Sequence, residues 1–112
     1  MPLSRSFNKV YKPYIQATPA FRRELLADAV TTMLAGDLDR GKSILRMYVN
    51  GTVGFIALGA ALGQSHKVLM RILGPRGNPQ ARTLFRLLNH FQQAEGITLT
   101  AVYTPADPTT ST

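Results

Sequence analysis

Apolar residues recur at helical spacing in five stretches of this chain, each closed by a glycine. Phe21, Leu25, Leu26, Ala29, Met33 and Leu34 follow Thr18-Pro19, an N-cap with proline at the first helical position, and stop at Gly36. A second helix opens at Asp37 or Asp39, where acids suit the helix dipole, carries Ile44, Leu45, Tyr48 and Val49, and ends at Asn50-Gly51. Thr52 is expected to cap a third, with Phe55, Ile56, Leu58 and Leu62 inward. Gly63-Gln64 turns the chain and Ser65 caps a fourth, whose buried side is Val68, Leu69, Ile72 and Leu73 before Gly74-Pro75. Asn78-Pro79 repeats the cap-then-proline signal ahead of a fifth helix, with Leu84, Phe85, Leu88 and Phe91 inward and Gly96 at its end.

The period then changes. Ile97, Leu99, Ala101 and Tyr103 alternate with polar residues, the pattern of a β-strand. A lone strand leaves its backbone donors and acceptors unpaired. A second copy of the chain, a partner that accepts a strand, or packing against a loop would each cover it. Ile97, Leu99, Ala101 and Tyr103, together with Phe91 on the fifth helix, are therefore the candidate contacts with a homodimer mate or other partner. The expected architecture is all-α: a compact five-helix domain over residues 18–103 with one C-terminal strand. Residues 1–17, with Arg5, Lys9 and Lys12 among Phe7, Val10, Tyr11, Tyr14 and Ile15, form either a short helix before Pro13 or a basic arm that docks on the body. Residues 104–112, TPADPTTST, have the composition of disorder.

Charge adds a direction. The 112 residues hold 13 Lys and Arg against 6 Asp and Glu, a formal charge of +7. Between Asp39 and Glu95 there is no acid, while Arg40, Lys42, Arg46, Lys67, Arg71, Arg76, Arg82 and Arg86 all fall there. Such a run is the electrostatic footprint expected of a polyanion binder, or a solvated surface with positive bias. The bases sit among short helices and not on one long amphipathic helix, which disfavours a membrane surface. With no cysteine, disulfides and thiolate metal sites are excluded, and a reducing cytoplasm fits. The N-terminus has no apolar core of the signal-peptide kind, and no apolar run approaches ~20 residues. The expectation is a cytoplasmic protein.

The third and fourth stretches have the layout of a helix-turn-helix. Gly63 tolerates the positive φ of a tight turn, and Gly59 four residues earlier lets the helices approach. Lys67 and Arg71 lie four apart on one face of the second helix. Arginine can reach guanine O6 and N7 with two hydrogen bonds, and lysine a base or a phosphate. His66 could bond a base or phosphate, or be a solvated surface residue; Met70 could touch a thymine methyl, or be partly buried. Ser65 and the helix start favour a phosphate. Arg76, Asn78 and Arg82 are candidates for the flanking backbone, and Thr52 and Gln64 complete the candidate DNA-binding set.

Gly36-DLDR-Gly41-Lys42-Ser43 fits the phosphate-loop pattern letter for letter. That chemistry needs a preceding strand and bare backbone amides around the phosphates, with a separate acid near magnesium. Here a helix precedes, Asp37 and Asp39 would repel phosphate, and no apolar strand ending in Asp follows, so the match is taken as chance. His66 and His90 have no third ligand in a convincing cluster, and no catalytic arrangement of carboxylates or Ser-His-Asp type is suggested. No enzyme activity, metal or cofactor is expected.

The segment ALGQSHKVLMRILGPRGNPQARTLFRLLNHFQQAEGITLTAV resembles the C-terminal part of the helix-turn-helix antitoxins known as addiction-module antidote proteins, relatives of the Cro-like repressors. The matching residues are Gly63, Ser65, Leu69, Leu73, Gly77-Asn78-Pro79, Leu84, Leu87-Leu88, Gly96 and Leu99, and the likeness extends over about residues 19–103. The resemblance implies a dimeric DNA-binding transcriptional regulator that binds a palindromic operator, represses its own operon and neutralises a RelE-like toxin. The chain departs from the family at Gln64, usually apolar, at His66-Lys67, where Arg-Glu is common, and in its basic N-terminal segment, often acidic in the antidotes. A stand-alone regulator with no toxin, or a helical protein-interaction module, is the alternative.

Overall fold

The computed structural model describes residues 11–107; the N-terminal part of the arm, residues 1–10, and the end of the tail, residues 108–112, lie outside the described residues. Among the described residues there are six helical segments and no strand. Residues 11–17 are helical (α1), followed by α2 (Pro19–Leu34), α3 (Leu38–Gly51), α4 (Gly54–Leu62), α5 (His66–Ile72) and α6 (Ala81–Glu95). The all-helical class is as expected. The candidate arm contributes to the body itself, since Ile15 is buried in the same core as Leu26, Leu45, Leu58, Leu69 and Leu87.

Several local expectations hold for the reasons given. Pro19 stands at the start of α2, where Thr18 holds the cap position without a side-chain capping bond, and Asp37 caps α3 by accepting a hydrogen bond from the Arg40 amide at 3.1 Å. Gly41 and Lys42 lie inside α3, so the phosphate-loop match is helix with no open loop of amides. Gly96 closes α6 in the left-handed conformation, φ 65°.

Others are corrected. Thr52 does not cap α4: it follows the last turn of α3, and its hydroxyl donates to the Tyr48 carbonyl at 2.7 Å, while Val53 holds the cap position. Asn78-Pro79 precedes the helix without opening it, because α6 starts at Ala81 after an extended Gln80. On α6 the inward stripe is Leu84, Leu87, Leu88, Phe91 and Glu95, so Phe85 points out, as do Ile56 on α4 and Val68 on α5. Phe91 is not a surface for a partner: it is 2% exposed, its ring 4.9 Å from that of Tyr48.

The expected strand is absent. From Ile97 to Asp107 the chain forms no helix, strand or β-bridge, and no strand occurs among the described residues for it to pair with. Ile97 and Leu99 pack against the core, the Leu99 amide donates to Gln92 Oε1 at 2.8 Å, and residues 100–107 are exposed, Ala101 and Tyr103 included.

A buried polar knot ties α2, α3 and α6 together. Arg22 Nε donates to both carboxylate oxygens of Glu95, at 3.0 and 3.1 Å, and the Tyr48 hydroxyl donates to Glu95 Oε2 at 2.6 Å. Arg22 also reaches the Ile15 and Gln16 carbonyls, which holds α1 in place. Burial, then the hydrogen bond to Glu95 and its charge, push the Tyr48 phenol well above its ordinary value, against a smaller opposing effect of Arg22. In the unfolded chain the phenol titrates near its ordinary value of about 10. Below that pH both states keep the proton; above it the unfolded state releases the proton first, so stability falls as pH rises. Thermal or urea denaturation across the alkaline range should show this loss starting near pH ~10, and Tyr48→Phe should abolish that component. An identical alkaline profile in the variant would refute it.

No single helix among the described residues is long and apolar enough to cross a membrane; α3 and α4, apolar enough as a pair, bend by 97° where they meet.

Candidate nucleic-acid interface

The geometry of α4 and α5 is set by two glycines. Gly63 ends α4 with φ 66°, a conformation that costs other residues ~1–2 kcal/mol. The Gln64 amide then returns to the Gly59 carbonyl at 2.9 Å. Gly59 itself is buried against the turn: a Cβ there would sit 2.6 Å from the Gln64 carbonyl oxygen and 3.0 Å from the His66 nitrogen. Ser65, extended, opens α5, with its hydroxyl at 3.5 Å from the Val68 amide. Arg86 of α6 donates to the Leu62 carbonyl at 2.7 Å and satisfies one of the free acceptors at the end of α4.

Leu69 and Leu73, both fully buried, anchor α5 to the core. The opposite side carries Lys67, Met70 and Arg71, all exposed. After α5, Gly74-Pro75-Arg76 folds back so that Lys67, Met70, Arg71 and Arg76 line one shallow, open depression. Four of the candidate DNA-binding residues are thus brought together. The side chains of Lys67, Arg71, Arg76 and Arg82 form no ion pair or hydrogen bond among the described residues. Ser65 is exposed at the start of α5, with Gln64 and His66 half-buried beside it; Asn78 and Arg82 are exposed on the following loop and first turn of α6. Thr52 is not with them. It lines a separate cleft with Tyr48, His90 and Glu95.

The acid-free run divides into two populations. Arg40, Lys67, Arg71, Arg76 and Arg82 face outward. Lys42 and Arg46 turn inward from α3 to the carbonyls of Gly74, Gly77 and Leu73, and Arg86 is engaged with α4. A signal for Lys42 was present in the sequence: Leu38, Lys42, Leu45 and Val49 are spaced four, three and four apart, which places the lysine on the buried stripe.

An exposed face of this kind offers hydrogen-bond donors and positive charge without a competing carboxylate of its own, which suits phosphates and the acceptor edges of bases. Comparison with protein-family models, with curated proteins and with solved structures gave no match.

Proposed function

We propose that this protein is a sequence-specific DNA-binding transcriptional regulator that inserts α5 in the major groove. The reading is carried by one observation: Lys67, Met70, Arg71 and Arg76 share a single exposed depression, their side chains unpaired, on a short helix fixed from behind by Leu69 and Leu73 and on the loop that follows it. Lys67 and Arg71 would meet base edges or phosphates, and Ser65, Arg76, Asn78 and Arg82 the adjoining backbone. The resemblance to the helix-turn-helix antitoxins supplies the rest of the proposal: the protein binds a palindromic operator as a homodimer, represses its own operon, and pairs with a RelE-like toxin.

The dimer contact is proposed at the groove between α2 and α6. Leu34, Phe85 and Val102 are exposed there at 78%, 66% and 88%, beside Leu99 and Ala101, and none of the residues lining the groove is charged. Exposed apolar area of this kind marks an interaction surface. The same groove would serve a helical interaction module that has no DNA role.

Gel-shift titration on the DNA upstream of the protein's own gene, repeated across salt, tests the main reading. Affinity should fall steeply with salt, since each neutralised phosphate releases counterions. A flat salt response would leave the interaction module as the better account. Arg71→Ala should cost about 1–3 kcal/mol on the preferred site and relax the preference at one base pair. Equal loss on all sequences would move Arg71 to a phosphate. Growth rescue on co-expression with a basic toxin encoded beside the gene tests the antitoxin role.

A further inference from the structure

Lys42, the lysine of the phosphate-loop pattern, is 1% exposed. Its ammonium has three protons and three oxygens around it: the Gly74 carbonyl at 3.1 Å, the Gly77 carbonyl at 2.5 Å and Asp39 Oδ1 at 3.2 Å. Arg46, one turn on, donates to the Leu73 carbonyl. Both cations reach from α3 to carbonyls just beyond the C-terminal end of α5, the negative end of that helix's dipole. The loop beyond is drawn tightly onto α5, for a Cβ on Gly77 would collide with the carbonyl oxygens of Arg71 and Ile72. Between the two carbonyls that Lys42 holds lie only Pro75 and Arg76. Arg76 is exposed in the depression that Lys67 and Arg71 share.

We propose that Lys42 is a positioning residue for the DNA interface: it never touches DNA, but it fixes the 74–77 loop and thereby holds Arg76 beside α5. The proposal rests on the DNA-binding reading. An arginine on a loop already ordered in the free protein reaches a phosphate without the entropy loss of ordering that loop on binding. Freed from Lys42, the loop samples other positions and the Arg76 contact is lost along with its counterion release.

Lys42→Met keeps the length and burial of the stem and removes all three donors. DNA affinity is measured over a salt series for the wild type, Lys42→Met, Arg76→Ala and the double variant. Lys42→Met should weaken binding about tenfold and lower the salt slope by about one, as Arg76→Ala does. In the Arg76→Ala background it should have no further effect. Additive losses, or a slope unchanged by Lys42→Met, would overturn the proposal. In the free protein the Gly77 amide, which donates to the Gly74 carbonyl at 3.0 Å, should exchange with solvent faster in the variant while core amides of α2 and α6 do not. Unchanged Gly77 exchange would equally overturn it. Lys42→Gln retains two donors and covers the case in which Lys42→Met fails to fold, with the same expectation at smaller amplitude. A wild-type protein that binds no DNA removes both readings; one that binds DNA with the loop indifferent to Lys42 removes this one alone.

Discussion

Glu95→Ala should destabilise the protein by about 3–5 kcal/mol, the cost of removing one partner from a buried ion pair. The Glu95 carboxylate is the common acceptor for Arg22 and Tyr48, and its side chain is only 6% exposed. Without it the Arg22 guanidinium keeps its bonds to the Ile15 and Gln16 carbonyls but loses its counter-charge, and the Tyr48 hydroxyl loses its acceptor inside the core. Unfolding free energies of small domains are about 5–15 kcal/mol, so the loss is a large share of the total. Glu95→Gln separates charge from shape: its amide oxygen can still accept from one of the two donors, and the loss should be smaller. Urea denaturation gives both numbers, with an unchanged slope showing that the unfolded states are alike. A Glu95→Ala protein within ~1 kcal/mol of the wild type would mean that water replaces the carboxylate in the knot.

The knot also marks the limit of what could be read ahead of the structure. Helices α2 to α6 were legible because their apolar spacing is interrupted by Gly36, Gly51, Gly63, Gly74 and Gly96, residues whose local conformations or small size end a helix regardless of tertiary context. The depression of Lys67, Met70, Arg71 and Arg76 was legible for the same reason: it is built from one short helix and the loop that follows it, close in sequence. Arg22, Tyr48 and Glu95 lie 47 and 73 positions from their partners, and no local pattern announces that they meet. The offset on α6, where Leu87 replaces Phe85 on the buried face, follows from how α6 seats on its neighbours, which periodicity cannot settle when apolar residues crowd one helix: Leu84, Phe85, Leu87 and Leu88 fall within five positions. The strand failed for another reason. Alternation states which side chains share a face, but a strand also requires hydrogen-bonding partners, and no strand or bridge partner occurs among the described residues.

Gly59→Val should be the most damaging single change in the candidate interface. In an ordinary helix interior, replacing glycine stabilises, by ~1 kcal/mol when alanine is introduced. At Gly59 the sign reverses, because the space is filled by backbone: the Gln64 carbonyl oxygen at 2.6 Å and the His66 nitrogen at 3.0 Å from an added Cβ. Neither can rotate away as a side chain would. They belong to the turn closed by the Gln64-to-Gly59 hydrogen bond, so α5 must move off α4 as a body. Overpacking of this kind costs typically 1–3 kcal/mol, and two further methyl groups against backbone place Gly59→Val at about the top of that range. Leu69 and Leu73, which seat α5 on the core, are displaced with it, and Lys67 and Arg71 no longer present their charges in register with Arg76. Gly59→Ala should show the same direction at reduced size. The expected pattern is a lowered midpoint in urea with helical circular dichroism largely kept in its absence, and loss of the specific gel shift at protein concentrations that saturate the wild type. Retained specific binding by Gly59→Val would show that the α4–α5 approach is not what presents Lys67 and Arg71 to DNA.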